Sequence, residues 1–207
     1  MEERIKDPRY GNRGMGLEDF MEFACNIYKN KNIAVIDKQH TCFKPIRNFQ
    51  GKIVNCKVEK KATVDYLGRY KNIPIAIEAK HTSTDSIRWD EVQPHQADYL
   101  DAFTEEPGTI GMVVISFGMK RFFAIPWQAY RCAYNARVRP GSSRTAPASV
   151  SAFGTTWDIP KKNSVRVDEI PPEYEISGYD GHYGLHFLKN AMSYITLDNQ
   201  KNTESIV

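Results

Sequence analysis

Apolar residues fall at Leu17, Phe20, Met21, Ala24, Ile27 and Tyr28. Steps of three and one place them on a single stripe, so residues 17–28 are predicted to form an amphipathic helix. Residues 33–38 (IAVIDK) follow as a buried strand. Residues 39–61 alternate apolar with polar from Ile53 to Val58 and contain Pro45 and Gly51, the pattern of a hairpin excursion that projects from the core. Residues 63–82, TVDYLGRYKNIPIAIEAKHT, read as strand, turn at Gly68, and strand. A helix is predicted over residues 93–106 with Pro94 in its first turn. A pair of strands follows at GTIGMVVISF and RFFAIPW, and then a short helix at PWQAYRCAYNAR.

Residues 138–163 are rich in Ser, Thr, Pro and Gly and read as a long mobile loop. GLHFLKNAMSYI fits a last helix, with a polar tail over residues 198–207. No repeat is present. This order of elements predicts one mixed α/β domain over residues 13–197, behind a disordered arm at 1–12. The length of 207 residues suits a single domain with its own core.

Composition narrows the class only a little. With 41% hydrophobic and 26% charged residues, the profile is that of an ordinary globular domain. No apolar run is long enough to span a bilayer, and the polar start lacks the apolar segment of a secretory signal, so a cytoplasmic protein without membrane association is expected. Cys25, Cys42, Cys56 and Cys132 form no CxxC pair, which argues against a zinc knuckle or a redox motif and for reduced thiols. His182 and His186 have the i, i+4 spacing of zinc ligands but lack an evident third.

Charge is unevenly spread. Residues 29–61 hold nine basic side chains against two acidic ones, and residues 131–166 hold seven against one. Two basic blocks flanking clustered acids suit a protein that grips a polyanion and hydrolyses it with a metal ion.

The clustered acids lie at the end of an apolar strand. Residues i and i+2 of a strand share a face, so Ala76, Glu78 and Lys80 point one way and Ile75, Ile77 and Ala79 the other. If the preceding strand pairs in register, Asp65 converges on Glu78 with Lys80 beside them. Two close carboxylates repel unless a positive charge lies between them. Oxygen-only ligands favour Mg²⁺ or Mn²⁺ over zinc. Such a metal lowers the pKa of bound water and holds a scissile phosphate, while Lys80 orients the water or offsets charge in the transition state. Glu18, on the first helix, and Gln96, early in the second, are candidates to complete the metal shell or position water. By alternation Tyr66 faces away from Asp65, into the core.

The set NRGMGLE (12–18), TVDYLG (63–68), IEAKHT (77–82) and PHQADYL (94–100) resembles, in order and spacing, the RecU-type Holliday junction resolvases of the PD-(D/E)xK nuclease superfamily. The likeness continues through GMVVISF, RFFAIPW and SVRVDEI. It implies a restriction-endonuclease-like mixed β-sheet flanked by helices, with a protruding basic stalk at about 40–61. It implies a homodimeric, Mg²⁺- or Mn²⁺-dependent endonuclease that makes paired nicks in four-way junction DNA, with a recombinase or branch-migration motor as a further partner. Asp65 and Glu78 would bind metal, Lys80 would assist the attacking water and Gln96 would support the site. Glu18 occupies the acidic position that related resolvases use near the metal. Arg13 would contact phosphate, and the stalk would bring Lys44, Arg47, Lys52, Lys57, Lys60 and Lys61 to DNA. The 138–163 loop looks long for the family, and Val64 stands where the superfamily motif has proline.

Two other functions fit the same residues: a nuclease acting on linear duplex, and a non-catalytic junction-binding protein. Smaller readings remain for single residues. His95 is read as a helix-cap or phosphate-contact histidine before a general base, and His81 as a strand-end residue or a DNA contact. Trp127 is expected in the core, and Trp157, in the loop, is the one candidate for stacking on open bases.

Overall fold

The computed structural model describes residues 16–60, 62–138, 149–152, 154–176, 184–189 and 191. Helix α1 (Leu17–Asn30) opens the fold, with the Gly16 N–H donating to the Asp19 carboxylate at its N-terminus (2.8 Å). Strands β1 (Ala34–Lys38), β2 (Cys42–Arg47), β3 (Ile53–Lys60), β4 (Tyr66–Tyr70), β5 (Ile73–Thr82) and β6 (Ser86–Arg88) follow, then α2 (Pro94–Thr104). After it come β7 (Ile110–Phe117), β8 (Arg121–Pro126), α3 (Trp127–Val138), β9 (Ser149–Ala152), β10 (Thr155–Asp158), β11 (Ser164–Arg166) and β12 (Glu175–Ile176).

The main sheet has the order β1-β4-β5-β7-β8-β12. Only β5 and β7 pair in parallel; the other neighbours are antiparallel. A parallel pair needs a long crossover, and the segment carrying α2 supplies it. Strand β7 is buried along its whole length, as expected of a central strand covered on both faces.

The sheet separates two cores. On one face α1 buries Leu17, Met21, Ala24 and Tyr28 against Tyr66, Ile75, Ile77 and Val114. On the other, Leu100 of α2 and Trp127, Tyr130 and Tyr134 of α3 pack on Ala76, Val113 and Ile115. Tyr66 is fully buried on the α1 side, as alternation requires. The mixed sheet between helices is the predicted class of fold.

Several local expectations change. Strand β1 is not buried but is the sheet's edge, with Ala34 and Ile36 inward and Val35 and Asp37 exposed. The turn between β4 and β5 lies at Lys71 and Asn72, with Lys71 at φ +52°, and not at Gly68. Gly68 sits mid-strand between Ile36 and Ile75. There a Cβ would lie 2.1 Å from the Val35 carbonyl oxygen and 2.5 Å from the Ile36 Cα, so the glycine permits close approach of the edge strand.

The stretch expected to be a mobile loop contains the β9–β10 hairpin, and Trp157 of β10 is a core residue. Its ring lies against Trp89 and Tyr174, and its Nε1–H donates to the Glu169 carbonyl (2.8 Å). It is therefore unavailable for stacking on bases. Residues 139–148, the arm at 1–12, His182 and the tail at 198–207 lie outside the described residues. So does most of the expected last helix, although Leu185, Phe187, Leu188 and Ala191 are buried in the α1-side core. Among the described residues no helix is long and apolar enough to cross a membrane.

Gly68→Ala tests the close approach. The added methyl meets backbone on β1 and must push the edge strand away. Overpacking of this kind costs about 1–3 kcal/mol, expected here as a fall of roughly 2–12 °C in melting temperature by calorimetry. An unchanged midpoint would show that the edge strand gives way freely.

Candidate metal and nucleic-acid site

The β4–β5 register pairs Tyr66 with Ile77. Continued by one residue, it sets Asp65 opposite Glu78. Asp65 is fixed on both sides: its Oδ2 accepts the Ala79 N–H (2.8 Å), and its backbone carbonyl accepts the Gln39 N–H (2.7 Å). Glu78 and Lys80 share the face turned toward α2, as alternation predicts. Glu78 is fully buried, whereas the Lys80 side chain retains 18% exposure.

Lys80 Nζ lies 2.7 Å from Glu78 Oε1. The same oxygen accepts from Gln96 Nε2 (2.6 Å), and Gln96 Oε1 accepts from Lys80 Nζ (3.3 Å). Gln96 Oε1 also accepts the Gln93 N–H at the start of α2 (2.8 Å). That backbone donor fixes which end of the amide is oxygen. Gln96 thus turns its NH₂ toward Glu78, and in this geometry it organises the carboxylate instead of offering an oxygen ligand as expected.

Glu78 Oε2 is buried without a hydrogen-bond partner. Burial, reinforced by the nearby Asp65 charge and opposed by Lys80, pushes the Glu78 carboxyl up to about 8. An orphaned carboxylate oxygen beside a second carboxylate is a fitting place for a hard divalent cation. The donors are all oxygen, and a small ion of the Mg²⁺ class needs only one or two carboxylates, with water and phosphate filling the remaining positions. The residues present therefore fit such an ion.

Glu18 is not brought to this pair. Its carboxylate faces Lys38 Nζ (2.8 Å), which also holds Glu22 (2.5 Å). Among the described residues no three acidic, histidine or cysteine groups gather closely enough to hold a metal. Nothing in the sequence singles out Lys38; a lysine ending a strand carries no signal of two carboxylates on the helix before it. His95 is exposed on the first turn of α2. His81 Nδ1 lies 3.3 Å from the buried Ser116 hydroxyl, giving His81 a structural contact at the strand end.

The expected stalk is the β2–β3 hairpin, a two-stranded sheet separate from the main one, with every residue of β2 exposed. Paired residues of an antiparallel ladder share a face. Lys44 pairs with Lys57, making one face basic, while Phe43–Val58 and Pro45–Cys56 make the other apolar. At the tip Asn48 Oδ1 accepts the N–H groups of Gln50 and Lys52, and Arg47 Nη1 donates to the Gly51 carbonyl (2.8 Å). Arg47 thus braces the loop that presents Phe49, which is fully exposed. Lys60 ends β3; Arg13 and Lys61 lie outside the described residues.

A mixed α/β domain with a carboxylate–lysine cluster on central strand β5 and a separate basic hairpin is the class of protein these observations define. The chain belongs to the RecU family: the family model described as Recombination protein U matches residues 12–189. It is similar to the Holliday junction resolvase RecU of Mycoplasmopsis pulmonis, 33% identical over 97 residues, covering 47% of this chain and 58% of that one. It is also similar to the Holliday junction resolvase RecU of Bacillus licheniformis, 30% identical over 118 residues, covering 54% and 60% respectively. In both matches the chain spans less than two thirds of the relative's length. Superposed on Hjc, a Holliday junction resolvase of Archaeoglobus fulgidus, it gives a TM-score of 0.35 at 11% identity, covering 59% of this chain and 83% of the other.

The raised Glu78 value sets a pH dependence for the metal-free protein. An unfolded chain holds this carboxyl near its ordinary 4.5, and the folded protein near 8. Between those values the folded state binds the extra proton, so stability falls as pH rises through the window. Urea unfolding in EDTA from about pH 5 to about pH 8 is expected to show that decline, with Glu78→Gln flattening it. A Glu78→Gln profile parallel to wild type would place the titration elsewhere.

Proposed function

We propose that this protein is a divalent-metal-dependent endonuclease that resolves four-way DNA junctions by paired nicking during recombination and repair. The observation that carries the reading is the fully buried Glu78, whose second oxygen is left without a partner beside Asp65. A binding protein has no use for an unsatisfied carboxylate inside a basic protein; a site that loads a cation does. The family, and the resolvase names of its relatives, support the choice of substrate.

In this reading Asp65 and Glu78, the latter through its partnerless Oε2, would hold the ion, Mg²⁺ or Mn²⁺ by their all-oxygen chemistry. The bound ion supplies an acidified water and charge neutralisation at the phosphate. The Ala79 N–H keeps Asp65 turned inward through Oδ2. Lys80, tied to Glu78 Oε1, holds its ammonium beside the reacting phosphate, where it orients the water and offsets developing charge. Gln96 fixes Glu78 and Lys80 relative to the start of α2. Glu18 has no ligand role while Lys38 holds it. Arg13 and the stalk cations Lys44, Arg47, Lys52, Lys57, Lys60 and Lys61 bind DNA phosphates. A four-way junction has approximate two-fold symmetry, so a homodimer places identical sites on related strands. A recombinase or branch-migration motor that delivers junctions is the fitting partner, and the cytoplasm the fitting place.

The test compares a synthetic four-way junction with linear duplex of the same sequence in Mg²⁺, Mn²⁺ or EDTA. Paired, metal-dependent nicks in the junction alone are expected. Asp65→Asn and Lys80→Met should each slow cutting by at least about a hundredfold and leave junction affinity within about threefold. Equal cutting of both substrates would make this a duplex nuclease, and tight junction binding without cutting would make it an architectural protein.

A further inference from the structure

A second charged feature lies at the far end of β4. Lys29 from the last turn of α1, Arg69 of β4 and Lys71 of the β4–β5 turn line an open groove of about 460 Å³ together with Asn32, Ile33, Ala34 and Val35. Among the described residues no acidic side chain lines it. Elsewhere Lys38, Arg88, Arg121, Arg131, Lys162 and Arg166 each face a carboxylate, whereas among the described residues Lys120, Lys161 and the hairpin cations Lys44, Arg47, Lys52 and Lys57 do not. Among the described residues the three groove cations form no ion pair. Arg69 Nη1 donates to the Lys71 carbonyl (3.2 Å), and Lys71 Nζ lies over the Tyr70 ring at 5.3 Å.

The backbone adds an independent observation. Lys71 is held at φ +52°, the left-handed region where a side chain is strained and glycine is at ease. What lysine supplies there, and glycine would not, is an ammonium at the groove. The α1 C-terminal carbonyls account for Lys29. They do not account for Arg69 or Lys71.

We propose that this groove binds a backbone phosphate of the DNA arm that leads away from the cleavage site. The inference rests on the junction-nuclease reading. Strand β4 joins the two places: Lys71 follows Asp65 by six positions, at most about 20 Å at about 3.3 Å per residue. That span corresponds to about six base pairs of duplex at 3.4 Å each. That is a little over half a turn of duplex, so with one strand's phosphate at Asp65 and Glu78 the backbone that faces the groove is the complementary strand's. The Arg69 guanidinium offers two donors to phosphate oxygens, and the lysines act as point charges beside it. The groove thus lengthens the footprint along the edge of the sheet, on a surface separate from the stalk.

The test measures affinity for a fluorescent four-way junction in EDTA by anisotropy, over a range of salt concentrations. Wild type is compared with Lys71→Gly, with Lys29→Gln/Arg69→Gln/Lys71→Gly, and with Lys120→Gln as an exposed control outside the groove. Lys71→Gly removes charge and strain together, so its melting temperature should not fall while affinity weakens about threefold. The triple variant should bind about tenfold more weakly at moderate salt. Its slope of log affinity against log salt should be shallower by about 0.9 for each phosphate that the groove no longer neutralises. Affinity and slope equal to wild type would overturn the proposal. So would stabilisation of wild type, but not of the triple variant, by millimolar pyrophosphate with DNA binding unchanged in both; the groove would then serve a free phosphate compound. If wild type cuts no DNA in any metal, the nuclease reading fails on its own, and the salt slopes still decide whether the groove holds DNA.

Discussion

A carboxylate buried in the middle of strand β5 is the constraint around which the domain is arranged. Burying charge is costly unless the charge is paired, and Glu78 is paired on only one of its oxygens. The parallel β5–β7 pair carries it to the interior, and the α2 crossover brings Gln96 over it. The continued antiparallel register with β4 brings Asp65 opposite. Lys80 offsets part of the negative charge without saturating the site. Each of these is a feature of the fold first. Together they leave one buried oxygen for which no donor is present among the described residues.

This arrangement explains why so much of the candidate site is legible in sequence. Alternation along β5 is a property of any strand, so Glu78 and Lys80 have to share a face and Tyr66 has to face away from Asp65. The helices α1 and α2 are equally plain, because their stripes and Pro94 are local signals. What alternation cannot give is partner identity. Nothing in the spacing says that the Gln96 oxygen accepts from the Gln93 N–H, or that Lys38 holds Glu18 away from the pair. Those outcomes depend on how α1 and α2 sit on opposite faces of the sheet.

The segments that local pattern misplaces share one physical cause. Gly68 reads as a turn because glycine usually relieves backbone conformation; here it relieves crowding against β1. The Ser- and Thr-rich stretch reads as a loop because its composition is polar. Yet Thr155, Thr156 and Trp157 have strand propensity, and Trp157 completes an aromatic cluster with Trp89 and Tyr174, brought together from distant parts of the chain. In both places tertiary contact decides what local composition cannot.

The β2–β3 hairpin is bound to the rest of the fold by few obligations. It shares no ladder with the main sheet and places no residue in either core. Positions in β5 or β7 answer to two cores and to the cluster at once, so changes there are filtered by folding before they can be filtered by function. Positions on the hairpin answer almost wholly to whatever the hairpin touches. Its length, charge and tip residue are therefore the features of this fold that a change of sequence alters at least cost to either core.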